Sequence, residues 1–242
     1  MAKLPADKLH AWLLHSRPFR ENSLLLDFLT LERGRFSAIS RGARGSKSVK
    51  KAILQPFTAL HISVVGKGEL QTLKDVEAPN PGMSLTGEAL FAAMYVNELV
   101  VKLLSGHESE PELFTTYTNT LHALATGSEL EIVLRRFELA LLDSLGYALN
   151  LHFEAEEGCE ILPEGQYYLQ PDLGFIRLQG DFQAGSTAHV LFPGADLLAI
   201  AEDDFAEIST RRFAKILMRQ LLAHHLGEKT LSSRALFISA SR

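Results

Sequence analysis

A break in hydrophobic periodicity at residues 79–82, which read Pro-Asn-Pro-Gly, constrains the fold of this chain more than any other feature. Proline lacks a backbone N–H donor and glycine adopts many backbone conformations, so neither a strand nor a helix continues through this stretch. Before it, apolar residues recur at every second position, and after it they recur every three to four positions. The sequence therefore predicts a β-rich domain at residues 1–79 and a helical domain at residues 80–242.

The segment before the break contains five short stretches with the alternation typical of half-buried strands. We place them at residues 9–15, 23–30, 36–40, 57–65 and 69–77, with a short helical segment near residues 49–54. Five short strands with one helical segment after the third favour a small barrel of the OB type, a class that binds oligonucleotides. Trp12 on the first strand suits stacking on a base and filling the barrel equally well.

The segment after the break has helical periodicity, interrupted by stretches rich in Gly and Pro. The predicted helices cover residues 88–104, 111–124, 130–145 and 211–226, and a last short helix covers residues 233–239. Residues 150–194 have little regular pattern, although residues 167–169 and 174–178 are compatible with a β-hairpin. The expected fold class is α+β, with a five-stranded OB-type barrel followed by an α-helical bundle domain that carries an irregular, partly β insertion at residues 150–194.

A block of positive charge lies between Arg33 and Lys51, while no Asp or Glu occurs between Glu32 and Glu69. Because the formal net charge of the chain is −5, this block is a local excess of the kind that attracts nucleic acid. The alternatives are a solvated loop that only keeps the protein soluble, and a protein-docking adaptor whose loop binds an acidic partner. The candidate DNA contacts in and before the block are Arg17, Arg33, Arg35, Arg41, Arg44, Lys47, Lys50 and Lys51.

A second basic group lies on the helix predicted at residues 211–226. It consists of Arg211, Arg212 and Lys215, with Arg219 one turn further on. This group either extends a DNA-binding surface or forms the solvated side of the helical domain, and the sequence favours neither.

The sequence contains no motif for catalysis or for metal binding. It lacks G-x-S-x-G, H-E-x-x-H and Walker motifs, and its only cysteine, Cys159, excludes an internal disulfide and a multi-cysteine zinc site. We therefore expect no enzymatic activity, no cofactor and no bound metal. No apolar run is long enough to span a bilayer or to act as a secretory signal, and we expect a cytoplasmic protein.

Several short motifs recur along the chain in a characteristic order. They are Ser16-Arg17-Pro18, Arg41-Gly42-Ala43-Arg44, Leu54-Gln55-Pro56-Phe57 and Leu134-Arg135-Arg136-Phe137-Glu138-Leu139, with Lys229, Leu231, Ser233 and Arg234 near the end. Together they resemble the bacterial recombination and repair mediator family RecO over nearly the whole chain. The resemblance implies an OB barrel on a helical domain, binding of single- and double-stranded DNA at the nucleoid, and annealing of complementary strands. It also implies that RecR and single-stranded DNA-binding protein (SSB) are partners, so that recombinase loads onto SSB-coated DNA.

The resemblance implies SSB as a partner, and the helix predicted at residues 130–145 offers a candidate site for its C-terminal tail. The C-terminal tail of SSB is acidic and ends in an aromatic residue, so its site needs a cation beside an apolar slot. Arg135 and Arg136 supply the cations, and the alternative is that Arg135 pairs with Glu131, four residues before it. Arg136 has no acidic residue four positions away. The apolar faces come from Leu134, Leu139 and Leu142.

One departure from the family pattern bears on metal binding. Many members of the family carry four cysteines after the third predicted helix, whereas this chain has Cys159 alone. A zinc site is therefore not carried over to this sequence.

Overall fold

The computed structural model describes residues 8–45, 49–66, 68, 70–106, 108–178, 190–233 and 235–237. Packing divides the chain into two compact units. Unit 1 consists of Met1–Leu130 together with Lys229–Arg242, and unit 2 is Glu131–Glu228. Unit 2 is therefore inserted into the sequence of unit 1. This division follows contacts, and the division at residue 79 expected from the sequence stays a prediction.

Unit 1 contains a closed barrel of five strands. They are β1 (Leu9–Phe19), β2 (Ser23–Thr30), β3 (Gly34–Ser40), β4 (Ala59–Val65) and β5 (Leu70–Glu77), with a short helix, α1 (Val49–Ile53), before β4. The strands close in the order β1-β2-β3-β5-β4, and all neighbours are antiparallel except β3 and β5. The predicted OB-type barrel and the α+β class are therefore confirmed.

The alternation that identified the strands also builds the barrel core. In β3, Phe36 and Ala38 are buried in the core, whereas Arg35 before Phe36 and Ser37 between the two are half-buried. Side chains from β1, β2 and β4 meet them in the same cluster. Gly34 begins β3 with a φ of 62°, and a Cβ there would overlap the carbonyl oxygen of Glu108, so this position requires glycine.

The stretch Ala11–Leu14 of β1 is buried on both faces because two helices of unit 1, α2 (Gly87–Leu103) and α3 (Pro111–Ala125), cover its outer side. Trp12 Nε1 donates a hydrogen bond to Thr118 Oγ1 of α3 at 3.0 Å. Asn97 of α2 donates to the carbonyl oxygen of Leu14 at 2.9 Å and accepts from Tyr117 Oη at 2.5 Å. Trp12 therefore packs between barrel and helices, and both roles predicted for it are wrong.

Unit 2 contains helices around a small antiparallel sheet. The elements are α4 (Leu130–Ser144), β6 (Gln166–Gln170), β7 (Gly174–Arg177), β8 (Leu191–Pro193), α5 (Gly194–Ala201) and α6 (Ile208–Leu226), and the sheet order is β7-β6-β8. The predicted hairpin is confirmed as β6 and β7. Strand β8 and helix α5 were not predicted from the sequence, because α5 begins at a Pro-Gly pair that is typical of a loop.

The chain returns to unit 1 after α6, and Glu98 of α2 holds the returning segment. Its carboxylate accepts hydrogen bonds from Ser232 N at 2.9 Å, Ser233 N at 2.8 Å and Ser233 Oγ at 2.5 Å, and it pairs with Lys102 at 2.8 Å. Burial of Glu98 disfavours its charge, but the bonds from Lys102 and Ser233 outweigh burial and lower its pKa to about 2. Residues 235–237 are helical, and the rest of the helix predicted to residue 239 lies outside the described residues. No helix within the described ranges is long and apolar enough to cross a membrane.

Candidate functional site

The turn between β1 and β2 and the loop after β3 meet at one end of the barrel. The register places Phe19 opposite Ser23 and Leu24 opposite Ser40, so both connections leave the sheet side by side. Arg44 fastens them together, since its Nη1 donates to the carbonyl oxygens of Arg20 and Glu21 at 3.0 Å each. Its backbone N–H also donates to the carbonyl oxygen of Asn22 at 3.3 Å. The basic loop is therefore held against the turn by hydrogen bonds.

We call the cations at this end of the barrel the basic rim. The parallel pairing of Ile39 with Thr72 runs β5 in the same direction as β3, so Lys74, two residues past Thr72, lies toward the same end of the barrel as Arg41, which follows the last residue of β3. Lys50 of α1 donates to the carbonyl oxygen of Lys74 at 3.2 Å. All members of the rim are exposed except Lys50, which is half-buried. The members are Arg17, Arg20, Arg41, Arg44, Lys50, Lys51 and Lys74.

The rim includes two residues that were not among the predicted DNA contacts, Arg20 and Lys74. Lys47 lies outside the described residues. Arg20 was missed because it reads as turn material beside Glu21, and its positive φ of 51° gave no sequence signal. Lys74 was missed because it comes thirty residues after Arg44 in a strand where Asp75 follows it. Only the parallel pairing of β3 with β5 brings Lys74 to the rim.

Two arginines of the basic block lie away from the rim. Arg35 pairs with Asp27 at 3.3 Å and donates to the carbonyl oxygen of Leu104 at 3.0 Å, while Asp27 also accepts from Ser37 Oγ at 2.6 Å. Arg35 therefore forms a structural ion pair instead of the predicted DNA contact, because the segment after α2 covers its outward position on β3. Arg33 precedes β3, at the opposite end of that strand from the rim, and its Nη1 donates to Gln71 Oε1 at 3.1 Å.

The second basic group, on α6, is largely engaged within unit 2. Arg211 Nε donates to the carbonyl oxygen of Phe205 at 2.6 Å, and Lys215 pairs with Glu131 at 3.0 Å. Arg212 is exposed, with its guanidinium carbon 5.9 Å from the centre of the Phe213 ring. The contacts of Arg211 and Lys215 favour the solvated, structural reading of this helix face over a DNA-binding one.

The two arginines of α4 differ in environment. Arg135 is 8% exposed and pairs with Glu138, which is 1% exposed, at 2.8 Å. The predicted pairing of Arg135 with Glu131 is wrong, because Glu131 lies on the outer face of the helix and pairs with Lys215 instead. Leu134 and Leu142 are also buried in the core and offer no slot at the surface. Of the predicted tail-binding residues, Arg136 is exposed and Leu139 is half-buried.

Arg136 projects from the outer face of α4 among apolar neighbours. Ile132, Leu139 and Ala140 lie four residues before it and three and four residues after it, and all are half-buried. Its Nε donates to Asp203 Oδ1 at 2.8 Å, and this hydrogen bond raises the pKa of Arg136. We call these four residues of α4 the Arg136 strip: Ile132, Arg136, Leu139 and Ala140.

Three side chains that can ligate metal meet after α4. Carboxylate oxygens of Glu154 and Glu157 and the sulfur of Cys159 lie within 4.8 Å of one another. Glu154 is buried, whereas the other two residues are exposed. A closed structural zinc site takes four ligands, usually Cys and His, so this group is one ligand short and rich in carboxylate. The expectation of no bound metal stays a prediction.

The sequence matches the two family models of recombination protein O. The N-terminal model covers residues 6–81 and the C-terminal model covers residues 84–235. A DNA repair protein RecO from Methylococcus capsulatus is 45% identical over 96% of this chain and 93% of its own length. The proteins of the same name from Alteromonas mediterranea and Stutzerimonas stutzeri are 40% and 43% identical, over 97% and 95% of this chain and 98% and 92% of their own lengths. This chain therefore belongs to the RecO family.

Proposed function

We propose that this chain is a non-enzymatic mediator of DNA repair and recombination. It binds single- and double-stranded DNA through the basic rim, anneals complementary strands and, together with RecR, helps to load recombinase onto SSB-coated DNA in the cytoplasm. The proposal that the chain binds DNA rests on one observation, the attachment of the basic loop to the β1–β2 turn by Arg44. The names of the related proteins support the role in repair.

The attachment by Arg44 matters because it orders cations before DNA arrives. Arg20 and Arg41 come from two separate connections, and Arg17 lies near the end of β1 beside them. Holding them at one barrel end lowers the conformational entropy lost on binding. Arginine and lysine at such a rim contact phosphates, which sets affinity and orientation without reading sequence. A sequence-independent surface is what annealing of arbitrary complementary strands requires.

The salt dependence of binding tests this surface. We expect Arg17→Ala with Arg41→Ala to weaken binding of a single-stranded oligonucleotide and to lower the slope of log affinity against log salt by about 1.4, at about 0.7 per lost phosphate contact. Arg177→Ala, which removes an exposed cation of β7 outside the rim, should leave the slope unchanged. An unchanged slope in the double variant would contradict the assignment, and the adaptor alternative would then gain support.

Mediator activity is tested by annealing of complementary oligonucleotides coated with SSB. The wild-type protein should accelerate annealing, and the rim double variant should lose most of the acceleration. Addition of ATP should make no difference, because the proposed mechanism has no catalytic step. Annealing that proceeds at the same rate without the protein would exclude this role.

We also propose that the acidic SSB tail binds at the Arg136 strip. Arg136 presents a guanidinium to solvent, and the half-buried Ile132, Leu139 and Ala140 give an apolar surface beside it. Arg135 is left out of this site because Glu138 already holds its guanidinium below the surface. Arg136→Ala should weaken binding of a tail peptide at least about tenfold, or about 1.4 kcal/mol, with Arg177→Ala as the matched control. Equal affinity in a folded Arg136→Ala variant would show that the tail binds at another site.

A further inference from the structure

The loop between α5 and α6 has the same chemical character as the ligand proposed for the Arg136 strip. Residues 202–207 read Glu-Asp-Asp-Phe-Ala-Glu, so a run of carboxylates precedes an aromatic residue. Phe205 is 3% exposed, and its carbonyl oxygen accepts from Arg211 Nε at 2.6 Å. Asp204 Oδ1 accepts from the backbone N–H of Ala206 at 3.0 Å. The loop is therefore anchored by its buried aromatic residue, by the hydrogen bond from Arg211 and by backbone bonds from Asp203 and Asp204 to α5.

Asp203 in this loop reaches the strip. Its φ is 56°, in the left-handed region that few residues other than glycine adopt, although Asp and Asn tolerate it best. In this conformation its Oδ1 lies 2.8 Å from Arg136 Nε. A carboxylate of the chain itself thus makes the contact that a carboxylate of an acidic peptide would need.

We propose that Asp203 occupies the carboxylate position of the Arg136 strip in the free protein, so that an acidic peptide binds there only by displacing it. This inference rests on the proposed tail site and adds a competing intramolecular ligand to it. The acidic peptide gains Arg136 and the apolar neighbours, whereas Asp203 holds only the guanidinium. Asp203 thereby selects peptides that also place an apolar side chain on the strip.

The exposure of the pair limits how strongly Asp203 can compete. The side chains of Arg136 and Asp203 are 55% and 57% exposed, and ion pairs of this kind contribute up to about 1 kcal/mol, equivalent to about fivefold in affinity. Asp203 therefore lowers the apparent affinity for the peptide modestly and does not block the site. A peptide with several carboxylates and an aromatic end can displace it.

The test uses the full chain and a fluorescent synthetic decapeptide of Asp residues ending in Phe. Asp203→Asn keeps the size of the side chain and tolerates the left-handed backbone but removes the charge. We expect it to tighten peptide binding by about two- to fivefold at low salt. Glu202→Gln is the matched control, because it makes the same charge change one residue earlier, where the carboxylate is 75% exposed and lies 4.0 Å from His152. The control should leave affinity unchanged.

Two further variants separate the possible failures. Asp203→Gly also adopts the left-handed backbone and replaces Asp203→Asn if that variant does not fold. In the Arg136→Ala background, Asp203→Asn should have no effect on the peptide. If Arg136→Ala weakens binding but neither Asp203 variant tightens it, the competing role of Asp203 is wrong and the tail site stands. If Arg136→Ala leaves binding unchanged, the tail site itself is wrong and the role of Asp203 fails with it.

Discussion

Arg35 Nη2 lies 3.3 Å from Asp27 Oδ1 across the β2–β3 pair, with only 21% and 7% of the two side chains exposed. Removal of one partner from a buried pair leaves the other charge uncompensated, which costs about 3–5 kcal/mol. We expect Arg35→Ala to lower the free energy of unfolding by about 3 kcal/mol, at the low end of that range because Arg35 keeps some exposure. Urea denaturation measures this, and Arg41→Ala is the exposed control. A change below about 1 kcal/mol would show that the pair behaves as an ordinary surface pair.

Arg44 should act on DNA binding mainly by ordering the rim. We expect Arg44→Ala to weaken binding of a single strand about fivefold, or about 1 kcal/mol, and to speed amide hydrogen exchange at residues 41–45. Arg41→Ala should weaken binding without changing that exchange, because Arg41 makes no hydrogen bond across to the turn among the described residues. Unaltered exchange in Arg44→Ala would mean that the loop keeps its position by other contacts.

Glu98 should make stability depend on acid pH. Its folded-state pKa of about 2 lies below the ordinary value of 4.5, so its contribution is complete above pH 4.5 and is lost as the pH falls through about 2. We expect Glu98→Gln to lower the free energy of unfolding by about 2–3 kcal/mol at pH 7. The difference from wild type should shrink steadily below pH 4.5. Urea titrations at several pH values check this, with exposed Asp143→Asn as the control.

The carboxylate-rich group around Cys159 should not hold zinc. We expect elemental analysis to find less than one zinc per chain and a chelator to leave the melting temperature unchanged, because a structural zinc stabilises its site by binding only the folded form. Cys159→Ser should behave as wild type in both measurements. One zinc per chain that is lost in Cys159→Ser would overturn this prediction.

The barrel was predictable because the sequence patterns that indicate its strands are local. Alternation in each strand and the Pro-Asn-Pro-Gly break report directly on backbone geometry and burial, and neither depends on distant residues. The partners of the charged residues were not predictable in the same way. Whether Arg135 pairs with Glu131 or Glu138 depends on which face of α4 turns inward, and spacing of three or four residues allows both.

Other contacts depend on residues far apart in the sequence. Asp203 comes 67 residues after Arg136, and no pattern in either segment links them. Lys74 reaches the rim only through the single parallel strand pair of the barrel. Conversely, the basic block from Arg33 to Lys51 is continuous in sequence, yet Arg33 and Arg35 lie away from the rim. They lie at the start of β3, whereas the rim lies beyond the other end of that strand.

The insertion of unit 2 between residues 130 and 229 has a consequence for biosynthesis. A ribosome translates the chain from its N-terminus, so the barrel, α2 and α3 emerge first, and the segment that contacts Glu98 emerges only after all of unit 2. During that interval the Glu98 carboxylate lacks Ser232 and Ser233, and α2 leaves uncovered the side on which these residues later dock. Unit 1 therefore reaches its native form only after unit 2 has been translated, and a nascent chain arrested within α6 would carry a barrel covered by α2 and α3 but lacking the segment that docks on Glu98.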